Sequence, residues 1–324
     1  MTNRSKKISK VKAKKLIYVA IFLIALLNII AYNHAYKFTH FDLEEKEKTK
    51  PADRLPLLDK FTILLRGIDN PRPENNQLPT RTWKDLKIKT HNGYTLDAWH
   101  IGVPNPQGIV LLFHGYGGRK SSLLKNSEAF NQFGYDTILV YFYGSGNSDG
   151  NSTTIGHLEG EDVRNVYNFV SSEYPSAKIV LYGFSMGAVA VLRSVAELEV
   201  KPEGIIIEAP YGRLSSSVEN RFQLMGFPSF GLTQLLLFWG GVQHRYWPFS
   251  LDSMEYAKRI DTPTLILLGE NDDRVDRDEV KNIYYNLQGE KKLVIVPNTK
   301  HNYSVYTHFT TWETEVRKHL NLLN

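Results

Sequence analysis

The hydrophobic pattern divides the chain into two unequal parts. Leu16–Tyr32 reads LIYVAIFLIALLNIIAY, with Asn28 its only strongly polar member. At about 1.5 Å per residue it predicts a helix of roughly 26 Å, the short end of a membrane span. Tyr32 and Tyr36 stand where the far interface would fall. His34–Lys50 is polar and mixed in charge and reads as a stalk. Leu55–Arg66, apolar at 55, 57, 58, 61, 63, 64 and 65, predicts a short amphipathic helix. Gly67–Pro79, with three prolines and three asparagines, predicts a turn-rich connector.

From Trp83 the pattern alternates between strands and helices. Trp83–Thr90 and Tyr94–Ile101 flank His91-Asn92-Gly93, a hairpin signal. Further strands are expected at Ile109–Phe113, Thr137–Tyr141, Lys178–Tyr182, Gly204–Glu208, Thr264–Leu268 and Lys292–Val296. Between and after them, helices are expected at Lys120–Phe133, Glu159–Glu173, Met186–Glu197, Asp276–Leu287 and Tyr303–Leu322. Such alternation predicts one α/β domain: a mostly parallel sheet covered on both faces, with an antiparallel edge from the hairpin.

Charge sharpens the first part. The formal charge is +5 over 324 residues, but residues 1–15 hold seven basic side chains and no acid. Without them 39 − 7 = 32 basic residues face 34 acidic ones, so the remainder is near −2. A basic flank before an apolar run predicts an uncleaved signal anchor with its amino terminus in the cytoplasm and the rest of the chain outside it. A cleaved signal peptide is the alternative, although Asn33-His34-Ala35 makes a poor cleavage site. The slightly acidic remainder lacks the basic stripe of a nucleic-acid-binding protein. The absence of cysteine excludes a disulfide scaffold, thiol catalysis and cysteine-ligated metals.

Gly183-Phe184-Ser185-Met186-Gly187 falls where a predicted strand turns into a predicted helix. A sharp turn there holds a serine in a strained backbone, with glycines relieving the crowding and the helix amino terminus favouring negative charge. The motif predicts a nucleophile; the alternative is a packing turn. With this strand–turn–helix context, residues 83–324 resemble the α/β-hydrolase superfamily, closest to its serine aminopeptidase and lysophospholipase-like branch. His114-Gly115-Tyr116-Gly117-Gly118 resembles the superfamily's H-G loop. The resemblance implies an oxyanion hole from the backbone N–H groups of Tyr116 and Met186, with His114 bracing the loop. Gly269-Glu270-Asn271-Asp272-Asp273-Arg274-Val275 resembles the acid loop, implying Asp272 as the triad acid, with Asp273 and Glu208 as rivals. His301, after the last strand, matches the position of the base. One motif departs: in Val140–Ser148, Tyr141 and Tyr143 replace the usual Asp and Arg, which puts the loop's ionic bracing in doubt.

The segment of about 211–251 is rich in Phe, Leu and Trp. In such a fold it forms a cap over the nucleophile and suits an acyl chain, although packed helices alone would also need these residues. Gly226, Pro228, Gly231, Gly240 and Gly241 are expected to interrupt its helices. The expected division is a basic tail at 1–15, an anchor at 16–32, a stalk and linker at 33–80 and a hydrolase domain at 81–324. The expected function is hydrolysis of an ester or thioester of an apolar acyl group by a membrane-anchored serine hydrolase, with no cofactor, no metal and no nucleic-acid partner. A serine peptidase and a catalytically silent binding module are the alternatives.

Overall fold

A computed structural model describes residues 3–44, 49 and 56–323. The rest of the expected stalk, and Leu55 at the head of the expected amphipathic helix, lie outside the described residues.

In chain order the elements are α1 (Asn3–Thr39), α2 (Leu57–Arg66), β1 (Lys84–Lys89), β2 (Thr95–Ile101), β3 (Ile109–Phe113), α3 (Leu124–Gln132) and β4 (Asp136–Val140). There follow α4 (Leu158–Glu173), β5 (Ile179–Phe184), α5 (Met186–Glu197), β6 (Gly204–Glu208), α6 (Leu214–Met225), α7 (Leu232–His244) and α8 (Ser253–Ala257). The chain closes with β7 (Thr264–Gly269), α9 (Arg277–Asn286), β8 (Lys291–Val296), α10 (Ser304–Thr307) and α11 (Phe309–Leu322). The eight strands form one sheet in the order β1-β2-β4-β3-β5-β6-β7-β8. β2 is antiparallel to both β1 and β4, and all other pairs are parallel.

Alternation along the strands separates two cores. Ile109, Leu111 and Phe113 of β3 face α4, α5 and α9, whereas Val110 and Leu112 face α3 and α11. Both faces are buried, which is why β3–β7 read as short continuous apolar runs. Where the strands end, the chain turns at the carboxyl edge, and there the loops after β3, β5, β7 and β8 converge.

Three expectations change. The helix does not stop at Tyr32: α1 continues to Thr39, and the segment beyond it is docked on the domain rather than forming a free stalk. Ala35, Thr39 and Phe41 are buried. The Thr39 carbonyl accepts the Thr153 N–H (2.8 Å), Phe41 N–H donates to Asn151 (2.7 Å), and Asp42 pairs through its backbone with Asn70 and Arg72. In the cap, Gly226 and Gly231 separate α6 from α7, but Gly240 and Gly241 lie buried within α7. A Cβ on Gly241 would come within 2.6 Å of Pro248 Cδ and the Tyr246 carbonyl, so glycine serves close packing there. Finally, the expected last helix breaks at His308 into α10 and α11, because both pieces reach the buried Glu208.

Candidate active site

Ser185 sits between β5 and α5 at φ +52°, ψ −113°, a conformation an L-residue with a side chain adopts only at a cost of about 1–3 kcal/mol. Its neighbours explain how the turn closes. A Cβ on Gly183 would lie 2.5 Å from the Gly187 carbonyl, and one on Gly187 would press into the Phe113 and His114 carbonyls at the end of β3. Glycine at both positions lets the elbow fold and brings the start of α5 against the loop after β3. The Ser185 N–H donates to the Glu208 carbonyl (2.8 Å), tying the elbow to β6.

The structure brings Ser185, His301 and Asp272 into one chain of contacts. His301 Nε2 lies 3.1 Å from Ser185 Oγ, and Nδ1 lies 2.8 Å from Asp272 Oδ2. The other Asp272 oxygen accepts the N–H groups of Arg274 (2.9 Å) and Val275 (3.1 Å). A carboxylate held by two backbone donors and an imidazole is fixed in orientation, and with Nδ1 protonated the free Nε2 lone pair faces the serine hydroxyl. The loops carrying Asp272 and His301 are themselves bound together: Asn271 N–H donates to Thr299 (2.9 Å) and Asn298 N–H to Glu270 Oε2 (3.0 Å). Phe184 packs beside this set, 5.2 Å from the His301 ring and stacked on Tyr303 at 4.0 Å.

The rival residues are elsewhere. Asp273 is exposed, with no contact to His301 among the described residues. Glu208 is fully buried, accepting Tyr182 Oη–H (2.7 Å), Trp312 Nε1–H (2.6 Å) and Ser304 N–H (2.8 Å). Burial raises its carboxyl pKa, and it acts as a structural hub. His114 is also fully buried: Nδ1–H donates to the Gly115 carbonyl (2.8 Å) and Nε2 accepts Phe142 N–H (3.4 Å). Desolvation lowers its pKa to about 4, so it braces the loop as a neutral imidazole. Met186 opens α5, where its N–H has no partner within the helix. Tyr116 follows β3 in the loop against which Gly187 packs. Among the described residues no group of three His, Asp or Glu side chains has the arrangement of a metal site.

Sequence reasoning missed two groups around this centre. Arg72, in the connector, sends its guanidinium into the loop after β4, donating to the carbonyls of Gly146 (2.7 Å), Gly150 and Ser148. It supplies from outside the bracing that Tyr141 and Tyr143 cannot. The end of α1 also reaches the site: Tyr116 Oη donates to the Phe38 carbonyl (2.7 Å), the two rings stack at 5.2 Å, and the Arg221 guanidinium lies over both. No local motif marks either contact, because each joins segments far apart in the chain.

Two family models match the chain: serine aminopeptidase, S33, over residues 104–248, and PhoPQ-activated pathogenicity-related protein over 249–321. The uncharacterized protein YqkD of Bacillus subtilis is 22% identical over 290 residues, 89% of this chain and 92% of its own. The uncharacterized membrane protein YNL320W of Saccharomyces cerevisiae is 23% identical, with 71% and 76% covered. The lysophosphatidylserine lipase ABHD12 of Xenopus tropicalis is 23% identical across 60% of this chain, which spans about half (49%) of that lipase. Among solved structures, the Pyrococcus furiosus esterase Pf2001 superposes with a TM-score of 0.65 at 23% identity, covering 78% of this chain and 96% of that one. With this sheet order and strand–serine–helix elbow, the chain has the α/β-hydrolase fold, and its residues 104–248 match the serine aminopeptidase, S33, model.

Proposed function

We propose that the protein is a membrane-anchored serine hydrolase that cleaves an ester or thioester bearing an acyl or other apolar group. The observation that carries this reading is the hydrogen-bonded series Ser185–His301–Asp272 at a strained elbow. Ser185 Oγ attacks the carbonyl carbon while His301 Nε2 takes its proton, and Asp272 orients the imidazole and stabilises its positive form. The N–H groups of Tyr116 and Met186 receive the negative charge that appears on the carbonyl oxygen only in the tetrahedral intermediate. His301 then returns the proton to the leaving group, and water hydrolyses the acyl-enzyme by the same steps. The esterase and lipase names among the similar proteins support an ester over a peptide bond.

The anchor reading rests on α1. Residues 12–39 contain an apolar window of mean hydropathy 2.2, none of it buried, and Leu16, Phe22 and Ile24 are each at least 60% exposed. Apolar side chains so exposed in water would be costly, while in a bilayer they are at home. The basic tail then sets the amino terminus in the cytoplasm and the hydrolase domain on the other side.

A fluorophosphonate probe on the full-length protein in membranes is expected to label Ser185, and Ser185→Ala to abolish labelling. A p-nitrophenyl ester series is expected to be turned over with a maximum at one chain length, and aminoacyl p-nitroanilides not. Labelling that survives Ser185→Ala would overturn the nucleophile assignment, and turnover of the anilides alone would turn the reading towards a peptidase.

A further inference from the structure

From Phe222 to Gln243 the cap carries no Asp, Glu, Lys, Arg or His in 22 consecutive residues. They form the end of α6, the turn Gly226-Phe227-Pro228-Ser229-Phe230-Gly231 and nearly all of α7. A cap facing water would carry charge on its outer side. Here the outward side chains are uncharged and mostly apolar: Phe230 is 90% exposed, Phe238, Val242 and Leu224 are also exposed, and Gln223 and Gln234 are the polar exceptions.

This hairpin lies against α1. Trp239 Nε1 donates to Asn28 Oδ1 (3.1 Å), Gln243 Nε2 donates to the Tyr32 carbonyl (2.9 Å), and the Tyr32 and Trp239 rings meet edge to face at 5.4 Å. The Oδ1 of Asn28, the one strongly polar side chain of the apolar run, is thereby satisfied by the cap, while its Nδ2 donates to the Ile24 carbonyl (2.8 Å). The partners advance together along both helices, so α7 runs parallel to α1. Its first residue lies nearer the amino-terminal end of α1 than Trp239 does, by up to about 10 Å.

Depth follows from this pairing. A hydrocarbon core of about 30 Å takes roughly 20 residues of α1, and counted from Leu16 these end near Ala35. Asn28 then stands inside the core and Tyr32 within one turn of its edge, and whatever packs beside them stands at the same levels. Much of the turn's backbone is satisfied internally. Gly226 N–H donates to Gln223, Phe227 N–H to Phe222, and Gly231 N–H to Gln234 Oε1 (2.7 Å), while Pro228 has no N–H; this leaves the N–H groups of Ser229 and Phe230 as the two without a protein acceptor among the described residues. At the upper end, Arg245 and Trp247 are exposed where an interface would fall.

We propose that residues 222–243 form a re-entrant hairpin seated in the acyl-chain region of one bilayer leaflet, beside α1. The inference rests on the reading of α1 as a membrane span. Arg221, at the foot of the hairpin, stacks on Tyr116 and Phe38, so the Ser185 site stands at the membrane surface directly above it. The substrate is accordingly an ester lipid that reaches the serine from the leaflet, alongside the hairpin.

The chain has no cysteine, so single cysteines can carry an environment-sensitive fluorophore in the full-length protein. Phe230→Cys and Phe238→Cys are the test positions, Ile24→Cys reports the anchor, and Tyr285→Cys on α9, 67% exposed, reports water. The proteins are reconstituted in phosphatidylcholine vesicles containing some phosphatidylglycerol. A phospholipid with a nitroxide midway along its acyl chain is expected to quench the labels at 230 and 238 as strongly as at 24, and iodide to quench only the label at 285. If iodide reaches 230 and 238 as it reaches 285 while 24 stays in lipid, the hairpin is overturned and the anchor stands. If iodide reaches 24 as well, both fall. If 230 and 238 are shielded from both quenchers and Phe230→Cys protomers cross-link, the face belongs to a second copy and the proposal is overturned. None of these readouts depends on catalysis, so they are independent of the assignment of Ser185.

Discussion

In the loop after β4, Tyr141 and Tyr143 occupy places where related hydrolases carry an acid and a base, yet the turn keeps its shape. Gly146 and Gly150 have positive φ, and their faces are covered by the rings of Tyr141 and Tyr143, which leave no room for a Cβ. Ser148 Oγ donates to the Tyr141 carbonyl (2.8 Å) and accepts Asp97 N–H (2.9 Å). What remains are outward carbonyls, and these are gathered by Arg72. A fork of charged donors to three carbonyls is worth more than a neutral bond, although partial exposure reduces it. Arg72→Ala is expected to lower stability by about 2–3 kcal/mol in urea unfolding of the detergent-solubilised protein. Arg72→Lys is expected to restore less than half, since one ammonium cannot fork in this way. An unchanged midpoint in Arg72→Ala would show that the loop is held by its tyrosines alone.

At the scale of elements, the end of α1 belongs to two environments. Its first part carries exposed apolar side chains, and from Asn28 onward one face is progressively covered, until Ala35 and Thr39 are buried. Thr39 bonds to Thr153, whose hydroxyl in turn contacts Met186 Sδ at 3.5 Å, beside Ser185. The docked segment therefore contributes to the hydrolase fold itself. Burying Phe41 alone stabilises by about 2–3 kcal/mol, and several backbone hydrogen bonds go with it. A chain beginning at Pro51 is expected to melt about 5–15 °C below one beginning at Asn33. It is also expected to turn over a short soluble ester more slowly, since Phe38 no longer backs Tyr116. Equal melting temperatures would mean that residues 33–44 merely lie on the surface.

For the whole molecule, the proposed anchor predicts that the seven positive charges before the apolar run keep the amino terminus in the cytoplasm. Protease added to cells with a permeable envelope but an intact cell membrane is expected to digest the hydrolase domain; a protected domain would reverse the assignment. The same segment accounts for the formal charge of +5, because the remainder is close to neutral.

Much of this molecule was legible from local pattern. The strand and helix positions from Trp83 onward agree with the structure within a few residues, because each strand is a short apolar run closed by a turn. The serine elbow was legible because its strain requires glycines at fixed offsets, and the loops carrying Asp272 and His301 because each comes after a recognisable strand. Their geometry was not legible: that His301 stands 3.1 Å from Ser185 depends on β7 and β8 being ordered beside β6. Nor did glycine placement alone decide the cap, since Gly240 and Gly241 look like breaks and are packing sites within α7. The apolar run from Leu16 announced a long apolar helix by composition, but its extension to Thr39 and its docking were not legible, because the backbone groups of Thr39 and Phe41 pair with Thr153 and Asn151, more than a hundred residues away. Hydrophobic period, turn chemistry and charge asymmetry are properties of neighbouring residues, so the sequence by itself determined the elements, the fold class and the candidate nucleophile. Arg72 in the loop after β4, Phe38 behind Tyr116 and Asn28 against Trp239 are contacts between distant segments, and only the packing of the folded chain decided them.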